Sequence, residues 1–203
     1  MNRRTFTRIA SLVLLLATSG ISLFLAGCGV WTDILNWVPV GEAAINSILA
    51  VLTGNGVVIT PAIQAIVQLI EAGFAALTAA IKEYQSTTPA PVGALAKVET
   101  AFKDIVDNFT TFLQSLNVSG GLLGIITGLA QIVLSTIAAF MNQLPPSPAN
   151  KATLDRASSA RIAGNVIVVT AKKRSVSSFR SDFNAVLKSA PPDVKCPPSA
   201  YLQ

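Results

Sequence analysis

The chain has 203 residues, 51% hydrophobic and 12% charged, which is enough apolar material for a packed core and too much for an intrinsically disordered chain. Its formal net charge is +5, and it contains no histidine and only two cysteines. Histidine-based acid–base chemistry and His/Cys metal sites are therefore excluded, because the usual general base and the usual ligands are absent.

At the N-terminus, Asn2, Arg3, Arg4 and Arg8 form a short basic stretch, and the run from Ile9 to Ala26 is uncharged and rich in leucine. It closes on Leu25-Ala26-Gly27-Cys28. The order of charge, apolar run and small-residue site is that of an export signal. The last four residues resemble the lipobox of bacterial lipoprotein precursors. The resemblance implies cleavage before Cys28, so that residues 1–27 are a signal peptide and Cys28 carries the lipid. Arg3-Arg4 with Phe6 also resembles a twin-arginine signal, and export by that route and by the general secretory route both stay open. An uncleaved anchor is the alternative, since the run is just long enough to span a bilayer. Gly29 and Val30 lack the Asp that retains lipoproteins at the inner membrane. In a cell with two membranes the resemblance therefore implies the periplasmic side of the outer membrane.

Removing the signal takes away three basic residues and no acidic ones, leaving 176 residues with a net charge of +2. The remainder is uneven: residues 28–150 carry a net −4 and residues 151–203 a net +6. This shift, and the prolines near 148, divide the mature chain into an apolar helical region over 28–148 and a basic C-terminal region over 149–203. With Cys28 acylated, Cys196 is left as a lone thiol in an oxidising compartment, expected exposed beside Pro197-Pro198.

The first helix is expected from Thr32 to Leu52, broken near Pro39-Val40-Gly41, and Gly54-Asn55-Gly56 supplies the following turn. Thr60 then caps and Pro61 opens a second helix. That helix carries Ile63, Val67, Ile70, Phe74, Leu77, Ile81 and Tyr84 on one side, with Gln64, Gln68, Glu71, Thr78 and Lys82 on the other. Ser86 to Pro91 reads as a linker. Leu95, Val98, Phe102, Ile105, Phe109, Phe112 and Leu116 repeat the pattern in a third helix, whose outer face carries Glu99, Lys103 and Asp107 as an ion-pair ladder. Helices joined by such short connections predict a mainly α chain with an antiparallel four-helix bundle.

The fourth helix, 120–144, has no charged residue. At about 1.5 Å per residue it is long enough to cross a hydrocarbon core of about 30 Å. Gly120, Gly124 and Gly128 stand four apart, a ridge that lets helices approach closely. Burial in the centre of a bundle and insertion into a membrane both fit this stretch. Thr127, Gln131, Ser135, Asn142 and Gln143 favour the bundle, because each needs a polar partner. A hairpin insertion by the uncharged stretch 43–70 is a further alternative.

Pro145, Pro146 and Pro148 end the helix. Ala152 to Ala163 reads as linker or loose helix, and Asn165 to Ala171 is the one strand signal, its pairing partner unidentified. Ser175 or Ser177 caps a short helix bearing Phe179, Phe183, Val186 and Leu187, with Arg180 and Lys188 in solvent. The bundle is thus expected to carry a small C-terminal strand-plus-helix appendage. Lys172, Lys173, Arg174 and Arg180 are candidate contacts for an anionic lipid, an acidic glycan or an acidic protein. Nucleic acid is not expected in an exported protein without interleaved aromatics.

No serine-nucleophile elbow, Ser-x-x-Lys motif or phosphate loop is present, and the carboxylates are not placed for acid–base work. The sequence therefore points to a lipid-anchored envelope protein without a cofactor, acting as a non-catalytic structural or binding module. A carrier or sensor of an apolar ligand, and a membrane-inserting protein using 43–70 and 120–144, are the alternatives.

Overall fold

A computed structural model describes residues 3–86 and 92–203, with side chains from Gly29 onward. Six helices dominate: α1 (Arg3–Gly54), α2 (Pro61–Ser86), α3 (Ala94–Ser115), α4 (Gly120–Met141), α5 (Pro148–Ser158) and α6 (Val176–Lys188). A two-stranded hairpin, β1 (Arg161–Ile162) with β2 (Asn165–Val166), lies between α5 and α6. The chain is mainly α with a small C-terminal strand-plus-helix appendage, as its periodicities predict. Residues 1–34 and 35–203 form separate compact units, and the second holds helices α2 to α6.

Local chemistry starts the helices where expected. The Thr60 hydroxyl accepts the Ile63 N–H at 3.3 Å, with Pro61 in the first helical position, where its missing N–H costs nothing. Ser175 caps α6 by accepting the Ser178 N–H at 3.2 Å. Pro39 does not break α1, contrary to the expectation from sequence. Pro39 is itself exposed between buried Val38 and Val40, so the packing of Trp37, Val38 and Val40 holds the helix through the position where the Leu35 carbonyl loses its helical donor.

The core is centred on Trp37. Its ring meets Phe74 of α2 at 5.7 Å, Phe140 of α4 at 5.5 Å and Phe179 of α6 at 5.9 Å, which joins four helices around one indole. Helix α2 runs antiparallel to α3, since a Cβ on Gly73 would come within 2.8 Å of Ile105 while Glu83 pairs with Lys97 at 2.7 Å. All the predicted apolar positions of α2 and α3 are buried except Tyr84 and Leu95, which are half-buried. Glu99 is a correction: it is 7% exposed rather than on an outer face. It shares α3 with buried Val106, Thr110 and Leu113, and α3 packs on α5 as well as α2. The rest of the ladder forms, with Lys103 on Asp107 at 2.7 Å and Arg156 of α5 adding to Asp107 at 3.4 Å.

The stretch read as linker or loose helix begins with the regular helix α5. Pro148 opens it, Ser147 caps it through the Asn150 N–H at 3.1 Å, and Asn150, Thr153 and Ala157 are buried. The strand expected over 165–171 shrinks to Asn165–Val166, paired with Arg161–Ile162 and extended by Ile167 N–H donating to Ala160 O at 2.9 Å. Its turn is Ala163-Gly164, both at positive φ (47° and 82°). That conformation suits Gly164 and strains Ala163.

Candidate functional site

Cys28 lies in α1, but its side chain and those of the whole Leu25–Cys28 motif fall outside the described residues. The other candidate residues fall in two places, the basic segment after the hairpin and the glycine face of α4.

The basic segment is largely turned inward on an acid. Asp182 of α6 accepts from Arg174 Nε at 2.9 Å and from Lys172 Nζ at 3.1 Å. The hydrogen bond from Arg174, ahead of burial, which opposes it, and of the contribution of Lys172, holds the Asp182 carboxyl below the usual carboxylate range. The same guanidinium donates through one terminal nitrogen to Ser135 Oγ at 2.7 Å and Thr136 Oγ1 at 3.1 Å on α4. With its side chain 8% exposed, Arg174 ties α6 to α4 and is not a surface contact. Its charge is paired with Asp182, and its Nε and one terminal nitrogen are engaged within the chain. Lys173 reaches Gln143 Oε1 at 3.3 Å, while Arg180 and Lys188 stay exposed on α6. The four candidate cations are therefore not one equivalent patch.

The glycine ridge divides in the same way. A Cβ on Gly128 would meet Val186 of α6 at 3.0 Å, whereas Gly120 and Gly124 have no neighbouring atom within 4 Å. Gly120 adopts φ of 60° at the start of the helix, a conformational reason for glycine there rather than a packing one. Of the three ridge glycines Gly128 alone makes the close approach, and Gly121, outside the ridge, faces Pro191 and Val194. Residues Ile132 to Met141 are all buried, so the C-terminal half of α4 packs against the chain itself on every side.

A C-terminal clasp carries no sequence motif. Asn55, in the turn after α1, donates to the Lys195 carbonyl at 2.7 Å and accepts the Lys195 N–H at 2.8 Å. Asn184 of α6 pairs with the backbone of Leu202 in the same two-way fashion, both bonds at 2.9 Å. The Ser47 hydroxyl donates to the Ala200 carbonyl. Each amide side chain mimics a peptide group and so saturates the tail backbone. Cys196 sits inside this clasp, half-buried rather than exposed, and burial pushes its thiol up from the ordinary range.

Among the described residues no group of three or more His, Cys, Asp or Glu side chains is arranged to hold a metal. Among the residues whose side chains are described, three helical stretches are long and apolar enough to cross a membrane: Gly29–Gly54, Pro61–Ser86 and Gly120–Met141. No protein-family model, curated protein or solved structure matches the chain.

Proposed function

We propose that this chain is a lipid-anchored protein of the bacterial cell envelope that acts by binding, as a non-catalytic structural or interaction module. The observation that carries the reading is Leu25-Ala26-Gly27-Cys28, placed at the end of an uncharged run behind Arg3, Arg4 and Arg8. A thioether-linked lipid on Cys28 would provide attachment without a membrane-spanning helix. The burial of Ile132–Met141 within the chain supports this division of labour, because it leaves the most apolar segment satisfied by protein rather than by lipid. Exposed Arg180 and Lys188 are the cations on α6 through which an anionic lipid, an acidic glycan or an acidic protein would be met. With Gly29 and Val30 after the cysteine, the place proposed in a cell with two membranes is the periplasmic side of the outer membrane.

The test is metabolic labelling with a fatty acid in cells making the native precursor or its Cys28→Ser variant. The native chain is expected to incorporate label and be shortened. The variant is expected to stay unlabelled and unprocessed, since it offers no thiol. Equal labelling of the two would contradict the reading.

A further inference from the structure

Helix α2 has two apolar stripes, and only one is covered. Ile63, Val67, Ile70, Phe74, Leu77 and Ile81 face inward. Ala62, Ala65, Leu69, Ala72, Ala76 and Ala79 are all exposed, at alternating three- and four-residue spacing. That spacing is a 3.5-residue period held over the length of the helix, the seam pattern of a coiled coil. Leu69 is 53% exposed, and 33% of the most apolar stretch of α2 is buried, against 67% for α4.

Charges flank the seam on one side. At about 100° per residue, the three turns from Glu71 to Lys82 return the chain to within about 20° of the same direction. Two helices related by a two-fold axis meet along like flanks when antiparallel and along opposite flanks when parallel. Opposite charges on one flank therefore complement each other only in an antiparallel pair, where Glu71 of each copy faces Lys82 of the other and the axis falls near Ala76. Neither residue is ion-paired among the described residues. Glu71 also stands near Glu42 of α1. Burial first, and the charge of Glu71 second, push the Glu42 carboxyl up from its usual range. A lysine ammonium from outside the chain would answer both carboxylates.

We infer that this outer face of α2 is a self-association surface on which a second copy of the chain docks antiparallel, its alanines setting a close helix–helix approach and Glu71 and Lys82 setting register and direction. Lipid is the poorer occupant. Gln64, Gln68, Glu71 and Lys82 share the exposed arc and would lose water without gaining partners, while alanine offers hydrocarbon little apolar area. The surface is independent of the lipid on Cys28.

The experiment is disulfide crosslinking of the full chain in a Cys196→Ser background, scored against that background without an introduced cysteine. Ala76→Cys, beside the axis, is expected to crosslink. Ala62→Cys, held about 40 Å from its copy at about 1.5 Å rise per residue, is not. Glu71→Lys and Lys82→Glu should each weaken association about tenfold, equivalent to about 1.4 kcal/mol over two reversed pairs. An equimolar mixture of these two variants should restore it, and such rescue cannot come from a misfolded chain. Three results would each overturn the proposal: no crosslink at Ala76 in a chain of native helix content, crosslinks at Ala62 and Ala76 alike, or charge reversals without effect. Insertion of Leu69→Trp into phosphatidylcholine vesicles, with Ala76→Cys failing to crosslink there, would assign the face to lipid instead.

Discussion

Helices α2 and α4 are both long and apolar enough to cross a membrane, yet the fold treats them oppositely. In α4 every residue from Ile132 to Met141 is enclosed by the chain, while α2 buries one stripe and shows another. The difference lies in the side chains that produce the hydropathy. In α4 it comes from Ile, Leu, Val and Phe distributed around the helix, which can be satisfied only by surrounding it. In α2 the outer share comes from alanine, which adds hydropathy without adding much surface. An apolar helix of spanning length can thus be enclosed on every side or leave one face in solvent, and the size of the residues on each face tells the two apart.

Truncating one large side chain on each helix should expose the contrast most strongly. Phe140→Ala removes a fully buried ring of the Trp37 cluster and is expected to cost about 3–5 kcal/mol in urea unfolding. Leu69→Ala on the outer face of α2 should stay within about 0.5 kcal/mol at protein concentrations where the chain is monomeric. Comparable losses at the two positions would mean that both helices are enclosed.

Glycines draw the same line within α4. Gly128→Leu would drive a side chain into Val186 and is expected to destabilise by about 1–3 kcal/mol. Gly124→Leu enters open space on a helix and should instead stabilise by about 0.5–1 kcal/mol through its gain in helix propensity. Thermal melts of the two variants that moved in the same direction would contradict the placement of the ridge.

A smaller effect tests the ion pair that fixes Arg174 between α6 and α4. The folded Asp182 carboxyl titrates below its unfolded value, so its contribution is fully present above the ordinary carboxylate range and is lost as pH falls through the lower folded value. Asp182→Asn should therefore flatten the acid limb of a stability–pH profile below about pH 4. The size is modest, because the Asp182 side chain is 35% exposed and solvent screens the pair. An unchanged acid limb would show that the ion pair with Arg174 contributes nothing to stability.

Much of this architecture is legible in the residues themselves. Thr60-Pro61 and Ser175 announce helix starts, and the three- and four-residue spacing of α2, α3 and α6 predicts their inward faces, because capping and periodicity are local. What escapes is set by distant contacts. Glu99 reads as an outer-face residue until α5 is known to pack on α3, and α5 itself has little apolar periodicity to reveal it. Arg174 looks like one of three equivalent cations, and only the tertiary position of Asp182, Ser135 and Thr136 separates it from its neighbours. Asn55 and Asn184 are single residues whose role depends on a tail meeting them from 140 and 18 positions away. Pro39 reads as a breaker because the missing N–H is a local signal, while the packing of its neighbours Trp37, Val38 and Val40 is a tertiary one.

If a lipid does the anchoring, the folded unit must keep α4 within itself. The most direct measurement is sedimentation of a chain beginning at Gly29, expressed without signal or lipid and purified without detergent. A soluble, helical particle of uniform size is expected, because the large side chains of α4 stay enclosed and the exposed stripe of α2 is mostly alanine. Aggregation relieved only by detergent would contradict that enclosure and return α4 to the membrane.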